Sequence, residues 1–253
     1  MTNEAQLAYI LSHEIAHYTE DHIVESFNWK QKNGIRELSK HSKEHEFEAD
    51  KLGLELYHDA GYSKDEILST FDVLLFSYLP FDEVEFQKDY LNSEKMHIPK
   101  GYYPNKKYPI KAVEDTDDSK SSHPNIKRRK EAVKDHVSDY ENWQDTVFHF
   151  GEKHFNYIRN ISRFESVRTD IRDGEFDDAL YSIYILQKEH PNSIYLKRMK
   201  AKAWLGIGQF RRSNILRSHI PKKRNFEGEI ATFHGLLRKL SKIQILTVAM
   251  RNV

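Results

Sequence analysis

Residues 13 to 17 read His-Glu-Ile-Ala-His. Two imidazoles four positions apart lie on one face of a helix, so both can reach a single metal ion. With zinc, such a pair holds a water whose pKa falls to about 7, and the neighbouring glutamate takes its proton during attack on a polarised carbonyl. His13 and His17 are therefore candidate metal ligands, and Glu14 is a candidate general base. The pentapeptide alone is a weak signal. The chain has 14 histidines, and histidine-rich helices produce such pairs by chance.

A third protein ligand decides between these readings. One zincin class needs a glycine three residues after the second histidine and a histidine six residues after it. Those positions hold Glu20 and Ile23, which excludes that class. The other solution is a carboxylate on a following helix. Glu46-Phe47-Glu48-Ala49-Asp50 offers Glu46 and Asp50 on one helical face. Glu46 comes 29 positions after His17, enough to finish one helix, turn and return antiparallel. Glu46 is the candidate third ligand. Asp50, one turn on, is placed to accept a hydrogen bond from a ligand imidazole and so fix its tautomer. Ala49 is small, which suits close helix approach. The competing reading of Glu46, Glu48 and Asp50 is a solvated acidic face. Ala49, Leu52 and Leu54 count against it, because they give the helix a side to bury. His22, His41, His45 and His58 carry no assigned role, and His45 is turned about 100° from Glu46 on a helix.

The elements that must position these groups are expected to be helices. Glycine (10) and proline (7) are scarce in 253 residues, so breakers are few. The apolar stripe of Leu7, Ile10, Leu11, Ile15, Ile23 and Val24 predicts a first helix over 4 to 32. Gly34 should interrupt it, with a second helix over 36 to 59 and a stop at Gly61. Ser63 to Glu66 has capping-box spacing and predicts a buried helix over 67 to 78. Prolines at 80, 99, 104 and 109 make residues 80 to 123 a long irregular connection, a possible lid over the metal. Helix resumes after Pro124. Gly174-Glu175-Phe176 recurs as Gly208-Gln209-Phe210, 34 positions later, which is the tetratricopeptide period.

Lys and Arg total 39, as do Asp and Glu, so the chain lacks the basic excess of a nucleic-acid binder. The run Lys127 to Lys130 is short and meets Glu131 at once, as on a solvated helix face. With no cysteine, thiolate metal sites and disulfides are excluded. No apolar stretch reaches the roughly 18 residues of a membrane span, and no signal-peptide pattern opens the chain.

The strings Asn3 to Ala8, His13 to His17 and Glu46 to Gly53, with Ser122-His123-Pro124 and Arg129 beyond, resemble metallopeptidase family 48, the group of HtpX, BepA and the CAAX prenyl-protease relatives. The resemblance covers about residues 3 to 135. BepA-type members, which join such a peptidase to helical repeats, are the closest likeness. The resemblance implies a mainly α protein: a gluzincin zinc-peptidase core over 1–140, then a tetratricopeptide-like region over 141–253. It implies one Zn2+ per chain on His13, His17 and Glu46, with Glu14, His123 and Arg129 catalytic and Asp50 behind the ligands. His123 would be a transient fourth ligand or an oxyanion donor. Arg129 would bind developing negative charge or orient a carboxylate. Expected partners are protein or peptide substrates, with a further protein partner at the repeats. The setting is periplasmic or membrane-associated in the full-length parent, in protein quality control. Family members carry a segment with strands ahead of the active-site helix. This chain enters that helix within a few residues of Met1, so its core is expected to lack that segment. The alternative function is a catalytically incomplete scaffold or chaperone-like module that binds proteins through its repeats.

Overall fold

A computed structural model describes residues 1–119 and 121–252, with the side chains of 27 and 29–40 outside the description. The protein is mainly helical, and strand pairing among the described residues is limited to two isolated bridges, Tyr62 with Thr146 and Ser93 with Met96. It forms two compact units. The first comprises Met1–Ser77 and Ala112–Tyr157, the second Tyr78–Lys111 and Ile158–Val253. The expected boundary between 140 and 141 is thus replaced by three crossings of the chain.

In the first unit α1 spans Glu4–Thr19, and its N-cap Asn3 accepts a hydrogen bond from the Gln6 amide at 2.9 Å. The expected helix over 4 to 32 breaks at Asp21, whose φ of 54° is left-handed, a conformation that aspartate tolerates. The helical run α2 spans His22–Asp59. On a straight helix His22 and His45 would stand about 35 Å apart, yet their rings stack at 4.0 Å. Residues 22–26 and 41–59 are therefore two arms lying side by side, with a chain reversal between them. The interruption expected at Gly34 falls among residues outside the description. The C-terminal stop is as expected, with Gly61 at φ 77° after the last turn.

The helix α1 buries a different face from the one its apolar stripe suggests. Leu11, Ile15, Ile23 and Val24 are exposed, while Ala5, Tyr9, Ser12, His13 and Ala16 are buried. This rotation turns His13 and His17 toward Glu46. The next helix, α3 (Asp65–Leu75), is half-buried: Ile67 and Phe71 face in, Leu68 and Phe76 face out. No capping box forms there. The Ser63 hydroxyl donates to Asp145 at 2.7 Å and stands 3.4 Å from the Asp65 amide. The last helix of the group, α4 (Ile126–Val137), starts at N-cap Asn125, which accepts from the Arg128 amide. Tyr9, Leu54, Tyr57, Ile67, Phe71 and Val133 form the common core.

The second unit contains most of α5 (Glu152–Asp173), then α6 (Phe176–Glu189), α7 (Ile194–Arg212), a single turn α8 (Leu216–His219), α9 (Ile230–Lys239) and α10 (Lys242–Asn252). The 34-residue match does not correspond to a repeated turn. Gly174, at φ 86°, makes the turn between α5 and α6, but Gly208 lies inside α7. The matching left-handed residue after α7 is Asn214, at φ 62°. Residues 78–111, the larger part of the expected connection over 80–123, belong to this unit. Phe86, Leu91, Ile98 and Tyr103 are buried in this unit's core with Tyr181, Trp204 and Phe233. The extended stretch is fixed by tyrosines of α6. The Tyr181 hydroxyl donates to the Val84 carbonyl and accepts from the Val84 amide, at 2.6 and 3.1 Å. The Tyr184 hydroxyl donates to the Glu85 carbonyl and accepts from the Gln87 amide, at the same two distances.

A buried imidazole marks the join of α6 and α9. His234 Nε2 lies 3.1 Å from Asp177 and 3.8 Å from Asp178. Burial opposes its charged form, but the two carboxylates prevail and raise its pKa to about 9. A raised histidine pKa stabilises the fold fully below the unfolded value of about 6.5, and this contribution is lost as pH rises through the folded value. The thermal midpoint should therefore fall from pH 7.5 to 9.5. In His234→Gln it should be lower at pH 7.5 and nearly flat over that window. Equal slopes in the two proteins would refute the assignment.

Candidate metal centre

Three donor groups converge between α1 and the return arm of α2. His13 Nε2 and His17 Nε2 are 3.1 Å apart. Glu46 Oε1 lies 3.5 Å from His17 Nε2, and Glu46 Oε2 lies 3.7 Å from His13 Nε2. Ligand atoms bound at about 2.0–2.2 Å in a tetrahedron stand some 3.3–3.6 Å from one another, so these separations suit a single ion. The three residues could hold a metal. A cleft of about 260 Å³ opens over them, walled by Tyr9, Ile10, Glu14, Leu74, His123 and Arg129. All seven residues singled out from the sequence lie in this one region.

Each ligand is held from behind. Asp50 Oδ1 lies 3.0 Å from His13 Nδ1, which leaves His13 Nε2 directed at the cleft. His17 Nδ1 lies 2.8 Å from His22 Nδ1, and His22 Nε2 is 3.4 Å from Glu48. Nothing in the sequence signals this role for His22. Its spacing of five from His17 fits no regular helix face, and only the break at Asp21 brings it round.

Arg129 is buried and grips the acidic pair. Its Nε and Nη2 donate to Asp50 at 2.7 and 2.6 Å, and Nη1 lies 3.2 Å from Glu46. Of the two roles implied for it, these are the contacts of a residue that orients carboxylates. Burial pushes the Asp50 pKa up, but hydrogen bonds from Arg129 and His13 outweigh it and hold it below its ordinary value. Burial likewise opposes ionised Glu46, and His17, Arg129 and His123 bring its pKa down. His123 is exposed, with Nε2 3.3 Å from Glu46 and Nδ1 2.9 Å from the Ser122 hydroxyl. Glu14 is solvent-exposed on the cleft wall.

Two small residues let the helices meet. Ala49 is fully buried, as expected of the close approach. Gly53, which in the sequence only closes the family-like string, is the tighter point: a Cβ there would lie 2.9 Å from both Cα and N of His13. The available signal was its place seven residues after Glu46, on the ligand face. His45, set aside from sequence, is also buried, and its ring stacks on His22.

Compared with protein-family profiles, curated proteins and solved structures, the chain matches none.

Gly53→Ala must push α2 off the backbone of His13. It should destabilise the protein by about 1–3 kcal/mol and weaken metal binding, read by thermal melting and a zinc titration. Unchanged affinity would show that the approach is not needed. Arg129→Leu leaves two buried carboxylates uncompensated and should cost about 3–5 kcal/mol. Chemical denaturation of Arg129→Lys should recover only part of this, because a lysine cannot fork between two carboxylates. Full recovery would reduce the role of Arg129 to its charge.

Proposed function

We propose that the first unit is a zinc-dependent endopeptidase centre acting on protein substrates. The carrying observation is the convergence of His13, His17 and Glu46 beneath a cleft that has Glu14 on its wall. Two imidazoles and a carboxylate form a common zinc donor set, and the charges fit a dication. Two ionised carboxylates against one guanidinium leave one buried negative charge. Bound there, zinc supplies Lewis acidity, bringing the pKa of a water to about 7 and polarising a carbonyl.

The residues of the chain account for the proton transfers. Glu14 takes a proton from the water whose oxygen bonds to the scissile carbonyl carbon. It returns that proton to the amine as the C–N bond breaks. His123 Nε2 faces the cleft beside Glu46 and is placed to donate to the oxyanion. Asp50 and Arg129 keep the ligands in register and touch no reacting atom. Tyr9, Ile10 and Leu74 give the cleft an apolar wall for a substrate side chain.

The resemblance of the two motifs to family 48 supports the wider setting. On this reading the substrates are cell-envelope proteins and the full-length parent is periplasmic or membrane-associated. The helical hairpins of the second unit would recruit substrate or a partner, in the manner of tetratricopeptide repeats. No described helix is long and apolar enough to cross a membrane.

The test is cleavage of an unfolded protein such as casein. Glu14→Gln should reduce cleavage by about 10²-fold or more while bound zinc, measured by elemental analysis, stays at the wild-type level. His17→Ala should lose one equivalent of zinc and all cleavage. Cleavage that survives Glu14→Gln would overturn the peptidase reading. Zinc bound without cleavage in the wild type would instead favour a scaffold.

A further inference from the structure

The reversal of α2 builds a second group of donors outside the cleft. His41 and His45 lie four residues apart on the return arm, and Glu25 faces them from the outgoing arm. Glu25 Oε2 lies 3.2 Å from His45 Nε2 and 4.0 Å from His41 Nε2. One donor atom from each of the three falls within 4.8 Å of the others. This is the chemistry of the first centre, two imidazoles from successive turns of one helix and a carboxylate from its neighbour.

We propose that Glu25, His41 and His45 bind a second divalent transition-metal ion of the zinc class. Donor type and geometry both point there. Imidazole nitrogen with carboxylate oxygen suits zinc and its neighbours in the series rather than calcium or magnesium, which take oxygen ligands. The Glu25–His45 separation matches the edge of a tetrahedral zinc site and the Glu25–His41 separation is a little longer, so small side-chain rotations bring the three donors to ligand distance of one ion. His45 is buried and already oriented. Its ring is parallel to His22 within 6°, and its Nδ1 lies 3.5 Å from the Ser26 hydroxyl, which leaves Nε2 for the ion. Glu25 is exposed, which gives the ion an entry path.

An ion held here joins the outgoing arm to the return arm, close to the turn rather than at the cleft. Its coupling to the first centre runs through His22, which touches both His17 and His45. The row His13, His17, His22, His45, His41 has successive ring centroids 4.6, 5.0, 4.0 and 4.0 Å apart.

The experiment is a calorimetric Zn2+ titration of the full chain after chelator treatment and removal of the chelator. His41→Ala and Glu25→Gln should each lose one equivalent of zinc relative to the wild type, with helical content by circular dichroism unchanged. In the doubly substituted His13→Ala, His17→Ala chain one equivalent should remain, and adding His41→Ala should remove it. This arm does not depend on the first centre, so failure of the peptidase reading and failure of the second site are separable. If His41→Ala and Glu25→Gln both keep the wild-type stoichiometry, the second site does not exist.

Discussion

A guanidinium buried between two carboxylates organises the first unit. Glu46 and Asp50 are nearly inaccessible to water, and so is Arg129. Carboxylates removed from water are costly unless paired and hydrogen-bonded. Arg129 meets that need by presenting a planar fork to Asp50 while its remaining nitrogen reaches Glu46. The consequence is geometric. The fork ties α4 to the return arm of α2, Asp50 then fixes the ring of His13, and α1 takes its rotation from that ring. Leu11 and Ile15 of α1 stay exposed under this constraint, although a helix free to roll would bury them.

The candidate site was largely legible in the sequence because its information is local. The spacing of His13, Glu14 and His17, and of Glu46 and Asp50, depends only on helix periodicity. The coarse class was legible for a similar reason, since few glycines and prolines leave long helices uninterrupted. What escaped was set by tertiary contacts. His22 needs the left-handed Asp21 to swing it behind His17. Gly53 matters only because α1 crosses it. Ser63 had the spacing of a cap, but Asp145, 82 residues away in sequence, engages its hydroxyl. Residues 78–111 are irregular, as expected, and what escaped there is the burial of Phe86, Leu91, Ile98 and Tyr103 among prolines that hide their pattern.

The two units handle buried charge in opposite ways. In the first, an arginine and histidines hold carboxylates ionised. In the second, burial and the neighbouring acids Asp178, Glu175, Asp173 and Asp177 raise the Asp170 pKa to about 7. An acid raised in this way makes the fold less stable as pH climbs from its unfolded value of about 3.9 to its folded one. The carboxylates of the first unit make their fold less stable as pH falls. Near neutral pH the lowered carboxylates of the first unit contribute their full stabilisation, while the raised acid of the second opposes its fold.

The order in which the donors emerge during synthesis has its own consequence. His13, His17, Glu46 and Asp50 all lie within the first 50 residues, while Arg129 follows 79 positions after Asp50. Pairings between near neighbours in sequence close quickly, because little loop entropy opposes them. The helical hairpin therefore has its ligands together while its carboxylates still lack their guanidinium. A metal ion, which these donors could hold, would find them assembled before the guanidinium that closes the site has arrived.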